Sequence, residues 1–139
     1  MDWFCTFTFA VPPHPESATK KFNYWLNELN KELYGKAYKK FPEKGVYWVL
    51  ALEYHKSGVL HFHALLGDIK DLNTSVLRLK YMDLWKELAG FCKIEKIEND
   101  DLVRNYISKY TSKGGEIDLS ENMRNYAVQV TTCLQAPRL

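Results

Sequence analysis

Between Val46 and Gly67 the chain carries two apolar, β-branched and aromatic runs, Val46-Tyr47-Trp48-Val49-Leu50-Ala51-Leu52 and Ala64-Leu65-Leu66-Gly67, around Glu53-Tyr54-His55-Lys56-Ser57-Gly58-Val59-Leu60-His61-Phe62-His63. Strand-forming runs on both sides of Lys56-Ser57-Gly58 predict a β-hairpin. A three-residue loop with Gly58 in the left-handed conformation pairs His55 with Val59 and brings Glu53 opposite His61. A two-residue turn would instead set Glu53 against Phe62. Side chains alternate along a strand, so the first register gathers Glu53, His55, His61 and His63 on one face and sends Phe62 to the other. Two imidazoles and a carboxylate suit a borderline divalent ion with open positions, such as Mn²⁺ or Zn²⁺, leaving room for a substrate oxygen. His-x-His alone also suits an ordinary polar strand face. The acidic residue across the hairpin and a tyrosine-lysine pattern downstream separate the two readings.

With 139 residues, 46% of them hydrophobic, the chain makes one domain able to bury a core without disulfides. Cys5, Cys92 and Cys133 are odd in number and far apart, with no Cys-x-x-Cys pair. They indicate neither a disulfide framework nor a structural zinc site, so an intracellular, reducing location is expected. No basic-then-apolar leader and no apolar run near the ~20 residues of a membrane span is present, and a soluble protein without membrane contact is expected. A net charge of +2 and a pI of about 8.3 permit nucleic-acid binding without arguing for it.

Taken in order, Trp3 to Phe9 alternate as a first strand, ended by Pro12, Pro13 and Pro15. Phe22, Trp25, Leu26, Leu29 and Leu33 recur at helical spacing, with Ser17 or Thr19 as N-cap and Gly35 as terminator. Lys31, Lys36, Lys39, Lys40 and Lys44 then interleave with Tyr34, Tyr38 and Phe41. Lysines for phosphates and rings for bases make Lys36, Lys39, Lys40 and Tyr38 candidate DNA contacts, and a solvated lysine-rich loop reads the same way. After the hairpin a second helix starts at Thr74 or Ser75, presents Val76, Leu77, Leu79, Leu84, Trp85 and Leu88, and stops at Gly90. Phe91 to Ile97 alternate as a fourth strand, with Phe91 or Cys92 inward alongside Ile94 and Ile97. Asn99-Asp100-Asp101 caps a third helix running to Lys113 before Gly114-Gly115. The order βαββαβ implies an α+β, ferredoxin-like domain: a four-stranded antiparallel sheet with two helices on one face, and the last helix free to cover the other. Residues 1–118 form this domain and 119–139 an extension of it, in which Ser120 caps a short helix and Tyr126 to Thr132 has strand character.

The last helix contains Tyr106-Ile107-Ser108-Lys109-Tyr110-Thr111-Ser112-Lys113. Residues four apart share a helix face, so Tyr106 and Tyr110 line up, with Lys109 and Lys113 in a row beside them. A phenol with an ordinary pKa of about 10 acts as a nucleophile only beside a base or a cation. The lysines and a metal supply the cation.

Together Glu53, His61-x-His63 and the repeated Tyr-x-x-Lys resemble the HUH endonucleases, which nick and join single-stranded DNA. Histidines ahead of the tyrosine resemble rolling-circle replication initiators (Rep proteins) of viruses, phages and plasmids, rather than relaxases, whose tyrosine comes first. Thr6-Phe7-Thr8-Phe9 resembles the first-strand motif of that family, and the likeness spans residues 3–115.

The resemblance implies that His61 and His63, with Glu53 as third ligand, hold Mg²⁺ or Mn²⁺ against the scissile phosphate. His55 would replace Glu53, stand behind it, or be no more than an edge residue. A tyrosine, Tyr106 or Tyr110, attacks phosphorus to give a 5′-phosphotyrosine and a free 3′-hydroxyl, while Lys109 or Lys113 neutralises the developing charge. The implied partners are single-stranded origin DNA and a separate or host helicase, since no phosphate-binding loop of the Gly-x-x-x-x-Gly-Lys-Ser/Thr type is present. Homodimerisation is left open, and the implied location is the host cytoplasm, or the nucleus of a eukaryotic host. Three other readings share some of these features: a small single-tyrosine HUH transposase, a non-catalytic ferredoxin-like nucleic-acid-binding module, and an unrelated metal-dependent hydrolase.

Overall fold

A computed structural model describes residues 1–41, 43–54, 56–69, 72–112 and 116–124. Strands β1 (Trp3–Phe7), β2 (Tyr47–Tyr54), β3 (Leu60–Gly67), β4 (Cys92–Lys96) and β5 (Glu116–Leu119) form one sheet in the order β4-β1-β3-β2-β5. Every pairing is antiparallel. Helices α1 (Pro15–Tyr34), α2 (Ser75–Leu88) and α3 (Asp100–Ser112) and a 3₁₀ turn at Tyr38–Lys40 complete the α+β domain.

The sheet has five strands, not the four of the expected ferredoxin-like arrangement. Glu116-Ile117-Asp118-Leu119 adds itself to the outer edge of β2, where Ile117 pairs with Ala51 and Leu119 with Val49. This strand crosses the boundary expected at residue 118. Ser120 caps the turn that follows, its Oγ accepting from Met123 N. The strand expected over 126–132 lies outside the described residues.

Alternation along β1 decides the layering. Trp3, Cys5 and Phe7 point to the face covered by α1 and α2 and are fully buried with Phe22, Trp25, Leu29, Phe62 and Trp85. Indole N–H groups in that layer cannot be left without acceptors. Trp25 donates to Tyr81 O at 2.8 Å and Trp85 to Thr8 O at 2.9 Å, stitching α1 to α2 and α2 to the end of β1.

Some helix boundaries differ from expectation. Helix α1 begins at Pro15 with His14 as its cap, because a proline lacks the N–H that the first turn leaves unsatisfied anyway. Helix α2 starts as expected at Thr74, whose hydroxyl accepts from Leu77 N. Its buried face is Leu77, Tyr81 and Trp85, leaving Val76 and Leu79 exposed. Gly90 follows the Ala89 cap and has another task. A Cβ there would sit 2.5 Å from Thr8 O and 2.8 Å from Phe9 Cα, so only glycine lets β4 enter beside the end of β1. Among the described residues no helix is long and apolar enough to cross a membrane.

Candidate active site

The hairpin forms in the three-residue register. Gly58 has φ +83°, Glu53 pairs with His61 and Tyr54 with Leu60. Glu53, His61 and His63 therefore share the face that α1 and α2 leave open. Glu53 Oε2 lies 3.4 Å from His61 Nε2 and 3.4 Å from His63 Nε2. Three donors each about 2.1 Å from a common ion stand roughly 3.0–3.4 Å apart, so this set fits a divalent cation. Among the described residues it is the one cluster of three such groups, with ligand atoms within 4.8 Å of one another. Burial pushes the Glu53 carboxyl up, but the Tyr110 hydroxyl, Lys109 and both imidazoles outweigh it and hold the group below its usual range. The ligand set is thus anionic at neutral pH.

Helix α3 lies on this same face. Tyr106 and Tyr110 line up as their spacing requires, with ring centroids 4.8 Å apart, yet their hydroxyls end in different places. Tyr106 donates to His63 O at 2.9 Å and approaches Val49 O at 3.3 Å, buried among Val49, Ala51 and Leu65 and edge-on to Phe4. Tyr110 donates to Glu53 Oε2 at 2.8 Å, the oxygen that both imidazoles face. Both phenols are raised above their ordinary value: Tyr106 by burial and then by Tyr110, and Tyr110 by burial and then by Glu53. Lys109 is the cation at hand, with Nζ 3.7 Å from Glu53 Oε1 and 5.1 Å from the Tyr110 ring centroid.

Sequence reasoning passed over two supports of this cluster. Thr6, opposite His63 on β1, sets its Oγ1 3.3 Å from His63 Nδ1, and Phe4 stacks on the same imidazole at 5.8 Å. A partner on Nδ1 fixes which ring nitrogen faces a metal. The period of two along β1 already sets Phe4 and Thr6 on one face, but only the β1–β3 register shows that His63 is their neighbour.

Of the anticipated residues, Glu53, His61, His63, Tyr110 and Lys109 converge, and Tyr106 buttresses them from behind. His55 and Lys113 lie outside the described residues. Tyr38, Lys36, Lys39 and Lys40 do not join the cluster. They precede β2, whose other end carries Glu53, about 20 Å away along the strand. Tyr38 there donates its hydroxyl to Asn27 Oδ1 at 2.5 Å.

A family model for the replication-associated protein ORF2 matches residues 2–115, which contain the whole cluster. The chain belongs to the replication-associated protein ORF2 family. No curated protein and no solved structure gives a significant match. In this ORF2-family protein the matched span runs from the residue before β1 to just beyond α3, so most of β5 and the Ser120 turn lie past it.

Proposed function

We propose that this protein is a replication initiator of the HUH type, which nicks and rejoins single-stranded DNA through Tyr110. The carrying observation is that the Tyr110 hydroxyl and both histidine Nε2 atoms address the same carboxylate oxygen of Glu53. A nucleophile and a phosphate-binding centre must lie this close for in-line attack. Membership of a replication-associated family supports the biological setting.

In this reading Glu53, His61 and His63 hold Mg²⁺ or Mn²⁺, which when bound polarises a phosphate oxygen and offsets its charge. Tyr110 gives up its phenolic proton and its oxygen forms a bond to phosphorus. The bond from phosphorus to the 3′ oxygen breaks, and that oxygen takes up a proton, leaving a 5′-phosphotyrosine and a 3′-hydroxyl. Lys109 stabilises the charge on the phosphoryl oxygens. Tyr106 serves as an anchor, since its hydroxyl is engaged by main-chain carbonyls rather than by the ligand set. A separate helicase would open the duplex. Lys36, Lys39 and Lys40, at the far end of β2, would meet DNA only at a distance from the nick.

The test is a labelled random-sequence single-stranded pool incubated with Mn²⁺ and resolved on a denaturing gel. A covalent adduct that needs the metal, survives Tyr106→Phe and disappears with Tyr110→Phe supports the proposal. An adduct lost with Tyr106→Phe and kept with Tyr110→Phe reverses the assignment of the two tyrosines. Absence of any adduct, with DNA binding that persists in EDTA, identifies a binding module instead.

A further inference from the structure

Helix α3 covers only part of the sheet face that holds the cluster; the part over β1 and β4 carries an exposed ring beside an exposed cation. Cys92 and Ile94 turn into the helical core, which sends Phe91, Lys93 and Glu95 to the other face. Phe91 is 63% exposed, an unusual setting for a large aromatic next to an available core. It is held in register: Thr8 N and Thr8 Oγ1 both donate to Phe91 O, at 2.8 and 3.1 Å. Lys93 pairs with Thr6, and Thr6 with His63, so the three form one row across β4, β1 and β3. With strands about 4.8 Å apart, the Lys93 backbone stands roughly 10 Å from that of His63. Lys93 Nζ lies 3.3 Å from Glu95 Oε1 at the surface, a pair that a phosphate can readily exchange.

The position of Tyr110 decides what lies on this strip. In an in-line displacement the leaving oxygen is on the side of phosphorus away from the attacking one. Tyr110 approaches from the β2 side, through Glu53, while β1 and β4 are on the other side of the histidines. We infer that Phe91 and Lys93 hold the segment ending in the 3′-hydroxyl, Phe91 by stacking a base and Lys93 by pairing a phosphate, and so keep that end ready for rejoining. The inference rests on the nickase reading above and adds the path of the strand. In rejoining, the 3′ oxygen attacks the phosphotyrosine phosphorus, the bond to Tyr110 breaks, and the hydroxyl proton passes to the phenol.

Phe91→Ala and Lys93→Gln should fold normally, since both side chains are exposed, and circular dichroism melts check this. Anisotropy of a fluorescein-labelled random single-stranded 25-mer in EDTA should show about tenfold weaker binding for Phe91→Ala. The slope of log affinity against log salt should fall by about 0.7 for Lys93→Gln. Preformed wild-type and variant adducts are then supplied with increasing 3′-hydroxyl oligonucleotide. Half-maximal joining in the variants should need about tenfold more acceptor, while adduct yield at saturating DNA stays as in wild type. Wild-type joining by both variants overturns the inference and leaves the nickase reading standing. Equal losses in adduct yield and joining overturn the assignment to the 3′-hydroxyl segment. No adduct from wild type defeats the nickase reading, and the inference with it.

Discussion

Tyr106 and Tyr110 are the same residue type, one turn apart on one helix face, and their hydroxyls have different tasks. The Tyr106 hydroxyl bonds main-chain carbonyls, so Tyr106→Phe should lower stability by about 1 kcal/mol in urea unfolding while single-turnover nicking persists. A drop of more than tenfold in nicking without loss of stability would contradict its role as anchor. Thr6→Val should weaken Mn²⁺ binding by roughly 10–100-fold in calorimetry, because His63 loses the partner on Nδ1 that orients it. Equal affinity for both proteins would show that Phe4 stacking alone orients the ring. Helical periodicity could not rank the two tyrosines. It tells which residues share a face, whereas the reach of a phenol depends on the strands lying beneath each turn.

Elements were legible where a local chemical constraint sets their geometry. Gly58 at φ +83° makes the hairpin register, and with it the pairing of Glu53 with His61, readable from one glycine and the alternation around it. Gly35 ends α1 for the same conformational reason, at φ +88°. Strand β5 was not legible: four residues, two of them acidic, carry no periodicity, and only the free edge of β2 makes them a strand. Whether Phe91 or Cys92 faces inward was likewise ambiguous, since alternation gives two phases and the register with β1 picks one. Gly90 looked like a helix stop, yet its role is to let two backbones approach. Gly90→Ala should therefore cost about 2–3 kcal/mol, well beyond what a helix-end change explains, because the atoms it meets are backbone. A loss below about 0.5 kcal/mol in urea unfolding would show that β4 shifts at little cost.

Across the whole molecule, the features that hold the domain together lie on the face away from the cluster. Glu32 on α1 meets Lys80 Nζ at 2.7 Å and the Tyr81 hydroxyl at 2.5 Å on α2. Burial raises the Glu32 carboxyl, but these two partners outweigh it and hold it below its ordinary value. A depressed folded-state pKa gives stability that is present above the unfolded value of about 4.3 and lost as the pH falls through the folded one. Glu32→Gln should accordingly cost about 1 kcal/mol at pH 7, and the gap to wild type should close as the pH is taken below about 4. A gap independent of pH would mean that the carboxylate charge is not what binds the helices. The sheet order has a different consequence. Helix α3 leaves from β4 and is followed by β5, the two outermost strands, so it crosses the sheet as a strap fastened at both margins. DNA attached to Tyr110 is therefore moored to both sides of the domain at once. Tension on that strand is shared by two hydrogen-bonded ladders, where a helix fastened at one end would peel away.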